Sequence, residues 1–234
     1  NSSLANVLID MENGTIGELE ISGCTIQHGK DAPDSANIRM LGNTQQTVSF
    51  VVISGNFMSD INTNIHFNRV RSANISGNVF NECIEHDLLI ENSSNITIGS
   101  NVFELFDRNY PHRGNHTSRK HNLLCRNCND LVISGLQVSD VLRSQGGLIL
   151  KHCKRINVSG CSFKNCDGCG IFLDEVEHVR VSDCLIIENR PEVKDPIALI
   201  LKKGQNNMIT NNMINGELRI APQSNYVGSN PFSE

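Results

Sequence analysis

Ile75-Ser76-Gly77-Asn78-Val79-Phe80 is the stretch that decides the fold, because the chain keeps returning to it. Close copies are Ile21-Ser22-Gly23-Cys24, Ile53-Ser54-Gly55-Asn56, Ile133-Ser134-Gly135-Leu136 and Val158-Ser159-Gly160-Cys161. Looser ones begin at Ile98, Val181, Ile209 and Val227. Successive anchors are 32, 22, 23, 35, 25, 23, 28 and 18 residues apart, a unit of about 22–25 residues interrupted by insertions. Such a period is the mark of a stacked repeat.

Within a unit the anchor and the residue two before it are apolar (Ile96 and Ile98, Leu131 and Ile133, Ile156 and Val158), and the residue between them is often polar. That is the alternation of a strand with one buried face. Glycine or a small polar residue turns the chain, a short Asn or Cys follows, and two residues later stands a large apolar side chain such as Met58, Phe80, Phe103 or Phe163. Another short strand precedes each anchor by eight to ten residues, as in Ile65-His66-Phe67, Leu88-Leu89-Ile90, Leu148-Ile149-Leu150 and Ile171-Phe172-Leu173. No run of ten residues carries a 3.6-residue apolar period, so helix is expected to be nearly absent.

Strands that recur at fixed offsets and enter each unit the same way pair in parallel with their counterparts in the next unit. The expected fold is therefore all-β, a right-handed parallel β-helix of about nine coils. An up-and-down propeller would need a longer repeat with four strands in each unit. The Asn column (Asn56, Asn78, Asn101, Asn212) is expected to stack, its amides bonding along the column. Residues 1–234 read as one solenoid domain with corner insertions near 27–37, 104–120 and 188–196.

Composition narrows the function. A net charge of −5 argues against a nucleic-acid partner, and no apolar run approaches the length of a membrane span. The nine cysteines fall mostly on stacking positions: Cys24, Cys161 and Cys184 in the Asn column, Cys128 and Cys153 at one corner, Cys125 facing inward. They read as small buried apolar side chains. Cys128 with Cys153 and Cys161 with Cys184 are the pairs close enough for a disulfide. Cys125-x-x-Cys128 and Cys166-x-x-Cys169 have knuckle spacing, yet no metal and no cofactor is expected.

Insertions are where a solenoid places chemistry, since its rungs are structural. The middle insertion carries Asp107, Arg108, Tyr110, His112, Arg113, His116, Arg119 and Lys120. Counting from the anchors makes His86 and His121 equivalent on neighbouring rungs, Glu85 equivalent to Lys120, and Asp87 to Asn122. This predicts a site with His86 or His121 as base or acid, Asp87 or Glu85 orienting it and Asp107 a further acid. Arg108, Tyr110, His112, Arg113, His116, Arg119 and Lys120 would bind substrate. Asp167 and Asp195, equivalent on successive rungs, form a second carboxylate pair with the spacing that suits a glycosidase. A third feature is a stripe of outward apolar residues, Leu89, Leu124, Ile149, Phe172 and Ile200. Exposed together, they would make a patch that a terminal segment or another copy of the chain covers, and a homo-oligomer is the preferred reading.

The Ile-Ser-Gly-Asn-x-Phe rungs, with the Gly-Leu-Ile-Leu and Gly-Ile-Phe-Leu strands ending at Leu150 and Leu173, resemble the pectin-lyase-like superfamily of right-handed β-helix proteins. That resemblance implies a carbohydrate-active protein, a polysaccharide lyase or glycoside hydrolase acting on an acidic, extracellular polysaccharide. The alternative it implies is a non-catalytic binding or assembly module of adhesin or tailspike type. Ser144-Gln145-Gly146-Gly147-Leu148-Ile149-Leu150-Lys151-His152 is similar to a Ser-x-Gly-x-Leu-x-x-Arg-His segment of alginate lyase and chondroitinase B relatives. Lys151 replaces the Arg and the adjoining catalytic lysine motif is absent, so that activity is not carried over. A secreted, periplasmic or cell-surface setting follows from the resemblance, and the start at Asn1 without a signal peptide reads as a processed product.

Overall fold

The structure is a computed structural model, and it describes residues 5–11, 14, 16–27, 32–105, 120–229 and 232–233. Among these there is no helix, and every strand pairing is parallel. Each coil contributes three strands. In the third coil they are Thr63–Asn68, Val70–Ser76 and Val79–Asn81; in the fourth, His86–Glu91, Ser94–Gly99 and Val102–Glu104. The third strands stack into a nine-stranded sheet running from Thr25–Gln27 to Phe232–Ser233, so the described residues make nine coils. In the seventh coil the first two strands run together as Ile171–Ser182.

The repeat explains the stacking. Ile53, Ile75, Ile98, Ile133, Val158 and Val181 pair residue for residue on successive coils and are buried. The third strand adds its single inward residue, and there the Phe80 and Phe103 rings stack nearly parallel with centroids 4.6 Å apart. At the corner between the second and third strands the backbone must take positive φ. Gly55 and Gly77 do so at 63° and 66° without a Cβ to strain, while Ser100 and Asn211 accept it at 52° and 55°.

The expected amide ladder lies directly past that corner. Asn56 Nδ2 donates to Asn78 Oδ1 and Asn78 Nδ2 to Asn101 Oδ1, both at 3.0 Å. Each Oδ1 also accepts the backbone N–H of the coil before: Asn56 that of Cys24, Asn78 that of Asn56, and Asn101 that of Asn78. The column thus satisfies corner groups that neither sheet can reach. Further along it Cys161 and Cys184 take the same site, and none of the nine cysteines is in a disulfide.

Two expectations need correction. The stripe of Leu89, Leu124, Ile149, Phe172 and Ile200 does stack, but it is not an exposed patch. Leu124, Ile149 and Phe172 are buried in the single chain around Cys169, Leu89 and Ile200 are half-buried, and the Lys151 ammonium lies 5.7 Å from the centre of the Phe172 ring. Nor does Asp167 stand as a free carboxylate for chemistry with Asp195. Asp167 instead accepts from Arg190 Nη1 and from the Arg143 amide, both at 2.7 Å, and Arg190 also clamps Glu188. This nearly buried guanidinium fastens the loop at 188–196 onto the cylinder, because each carboxylate oxygen needs a charged donor once removed from water.

Candidate active site

The second residue of the first strand in coils two to four is polar and alternation would send it outward, yet Asn37, Asn64 and Asp87 are fully buried. The chain enters the strand from a corner, so that residue and the apolar one after it both face the interior. A second ladder results. Asn6 Nδ2 donates to Asn37 Oδ1 (2.7 Å), Asn37 Nδ2 to Asn64 Oδ1 (2.8 Å) and Asn64 Nδ2 to Asp87 Oδ1 (2.6 Å). Every amide points its donor along the stack toward a carboxylate, which only accepts.

His121 closes this ladder. Its Nδ1 lies 2.6 Å from Asp87 Oδ2, and its Nε2 lies 3.0 Å from the Ser139 carbonyl oxygen. A carbonyl cannot donate, so Nε2 carries a hydrogen and a single proton is shared along the Nδ1–Oδ2 line. Burial alone would lower the pKa of His121. The Asp87 charge and hydrogen bond outweigh it, with the Ser139 carbonyl, and hold the imidazole above its ordinary range.

This corrects the rung alignment. Lys120 keeps step with Glu85, donating its backbone N–H to the Ile84 carbonyl and its ammonium to Glu85 Oε2 at 2.5 Å. The register then slips. His86 pairs with Asn122 and Leu88 with Leu123, so Asp87 within its strand and His121 just before the next are each left with no residue opposite across these two coils. His121 takes a left-handed φ of 41° and turns into the interior. It does not face solvent beside His86, and Asp87 orients His121, not His86. Both are fully buried, which removes them from contact with any large substrate. Asp107, Arg108, Tyr110, His112, Arg113, His116 and Arg119 lie outside the described residues.

His86 faces the other way. With Glu85 it lines an open groove of about 560 Å³ on the outer face of the first-strand sheet, across coils two to four. Asp34, Arg39, His66 and Leu89 share the lining. Arg39, His66 and Leu89 occupy one column, each paired with the next. The stripe that is apolar from Leu89 onward is therefore cationic and imidazole-bearing before it.

Hydrogen bonds set the protonation of His86. Asn122 Nδ2 donates to Ser144 Oγ at 2.7 Å, and that hydroxyl donates onward to the Gly146 carbonyl. The Asn122 oxygen is thereby turned to His86 Nδ1, 2.6 Å away, so Nδ1 bears the hydrogen and Nε2 keeps its lone pair. Burial lowers the pKa of His86 despite the Asn122 bond and the Glu85 charge. His66, bonded to Glu91 at 3.3 Å, is also lowered, by burial first and then by the Arg39 charge. Arg39 donates Nη2 to the Asp34 carbonyl, while its buried Nε has no hydrogen-bond partner among the described residues.

Sequence reasoning missed Arg39, His66 and Asn122. Following the Leu89 column two coils toward the N-terminus would have found the first two. The slipped pairing that brings Asn122 to His86 has no signal of its own.

Comparison with known proteins follows the same lines. The family model described as a right-handed β-helix region matches residues 63–230. The chain belongs to this right-handed β-helix family. As a right-handed β-helix protein it shares its fold with DFA-IIIase from Arthrobacter chlorophenolicus A6, solved without its lid in complex with GF2. The TM-score is 0.63 at 13% identity, over 96% of this chain and 66% of that one. It is similar to the enzymatically active domain of bacteriophage CBA120 tailspike protein 2, with TM-score 0.55, 14% identity and 91% of this chain against 37% of that one. XylC in complex with xylose gives TM-score 0.51 at 12% identity, over 80% of this chain and 36% of that one. The chain thus spans under two-thirds of the length of these proteins. No curated protein matches the sequence.

Proposed function

We propose that this β-helix protein binds an acidic polysaccharide in the groove over coils two to four and cleaves it by β-elimination. The observation that carries this is His86, an imidazole held neutral with its Nε2 lone pair free, in one groove with the incompletely bonded Arg39. Arg39 would pair with a uronate carboxylate, withdrawing charge and making the adjacent C5–H more acidic. His86 Nε2 takes that proton, the C5 electron pair forms the C4=C5 double bond, the C4–O bond breaks, and the leaving oxygen gains a proton from solvent. Hydrolysis would need two available carboxylates. Glu85 is held by Lys120, and Glu91 by His66 and Arg126, which favours elimination. XylC, whose structure holds xylose, and the tailspike enzymatic domain share this scaffold, and a secreted or surface setting accords with such a substrate.

The test incubates the chain with alginate, polygalacturonate and chondroitin, following unsaturated uronate absorbance and new reducing ends. His86→Ala should abolish product and Arg39→Ala should raise KM. Product formation unchanged in both variants refutes the site. Saturable glycan binding without product would instead support the non-catalytic binding module.

A further inference from the structure

Behind the groove lies a trio that the elimination does not use. Cys83, Asp87 and His121 are each fully buried, and one ligand atom from each lies within 4.8 Å of the other two. No other such group of His, Cys, Asp or Glu occurs among the described residues. We propose that these three residues bind a zinc-class divalent cation, which pins the chain where the long insertion rejoins the cylinder.

The donor set fits that class of ion. Thiolate, imidazole and carboxylate together suit zinc, whereas calcium and magnesium take oxygen donors. The surrounding hydrogen bonds already have the form that orients metal ligands. The Ser139 carbonyl takes Nε2–H and leaves His121 Nδ1 as the donor atom, and Asn64 holds Asp87 Oδ1 and leaves Oδ2. With zinc bonds of about 2.0 Å, the N and O of a tetrahedral site stand about 3.3 Å apart. The present 2.6 Å contact between Nδ1 and Oδ2 therefore has to open by less than about 1 Å. Charge balances as well. The cation replaces two protons, one from the Cys83 thiol and one from the Asp87–His121 pair, and thiolate plus carboxylate neutralise it inside the core.

Placement says what the ion would do. Cys83 follows the last strand of coil three, Asp87 is the second residue of coil four's first strand and His121 directly precedes coil five's first strand. His121 is flanked by Lys120, on Glu85, and Asn122, on His86. A cation at the trio would lock the slipped register that presents those residues to the groove. The site lies away from both knuckle-spaced pairs: Cys128 Sγ bonds the Ile90 carbonyl and Cys169 Sγ the Gln145 carbonyl.

The full chain, stripped with chelator, is titrated with Co²⁺ while thiolate-to-cobalt charge-transfer and d–d absorbance are followed, and Zn²⁺ is then added in competition. One ion per chain is expected, displaced by Zn²⁺. Cys83→Ser should abolish the charge-transfer band, Cys166→Ser should leave it intact, and Asn64→Ala should weaken Co²⁺ binding about 10–100-fold. Absence of a saturable band, or a band of unchanged affinity in Cys83→Ser, overturns the site. If Cys83→Ser does not fold, Asn64→Ala decides, and unchanged cobalt affinity there overturns it equally.

Discussion

Removing the His121 imidazole should be among the most damaging single changes in this chain, while neutralising its partner should cost little. His121→Ala leaves the Asp87 carboxylate inside the core with only the Asn64 amide as donor. An unpaired buried charge of this kind costs about 3–5 kcal/mol. For a chain of this size that lowers the thermal midpoint by about 6–20 °C. Asp87→Asn behaves differently. The new Oδ1 still accepts from Asn64 and the new Nδ2 can donate to a neutral His121 Nδ1, while Nε2–H keeps the Ser139 carbonyl. Every buried group stays paired, and the change should remain within about 1 kcal/mol of the original. The two also differ in pH dependence. His121 has its folded pKa raised above 6.5, so its contribution is complete below that pH and is lost as pH rises through the folded value. Asp87→Asn should remove this alkaline loss. The assay is thermal unfolding followed by circular dichroism from pH 6 to about 10, with chelator present so that no divalent ion contributes. A midpoint in His121→Ala within about 2 °C of the original, or an Asp87→Asn loss as large as that of His121→Ala, would refute the shared-proton account.

Three further outcomes can be checked. Because burial lowers the pKa of His86, the acid limb of the rate profile should lie below pH 6.5, and Asn122→Ala should move it lower still, since the Asn122 bond raises that pKa; initial rates against pH measure both, and His86→Gln should reduce the rate about 10²–10⁴-fold. Asn78→Ala strands the Asn56 N–H and the Ile53 carbonyl at a buried corner, for about 2–6 kcal/mol, read by chemical denaturation. Phe103→Ala opens a cavity against the stacked Phe80 ring and should cost about 3–5 kcal/mol, whereas Phe103→Leu should lose clearly less in the same measurement.

The coil was legible because its signals are local and repeated. Ile75, Gly77, Asn78 and Phe80 each state one requirement of a rung: an inward strand residue, a left-handed corner, an amide for the ladder, a core filler. Copies at matching offsets state it again. The outward stripe from Leu89 to Ile200 was legible as a column, but not its burial, since covering it depends on neighbouring segments folding over it. The groove was half legible. His86, Glu85 and Lys120 stood out by type and spacing, and the ion pair between the last two follows from the rung count. Arg39 and His66 did not stand out, because one charged residue in a short strand has no period to announce it.

The repeat by itself therefore determined the coil, the direction of pairing and which side chains stack, because a parallel solenoid converts sequence offset directly into vertical neighbourhood. Only the tertiary structure decided what happens where the long insertion rejoins the cylinder. There one residue slips, His121 turns inward to share a proton with Asp87, and Asn122 moves up to fix the tautomer of His86. A slip of one residue reverses which face a side chain takes, and its cost and benefit lie in buried partners that come from four different coils.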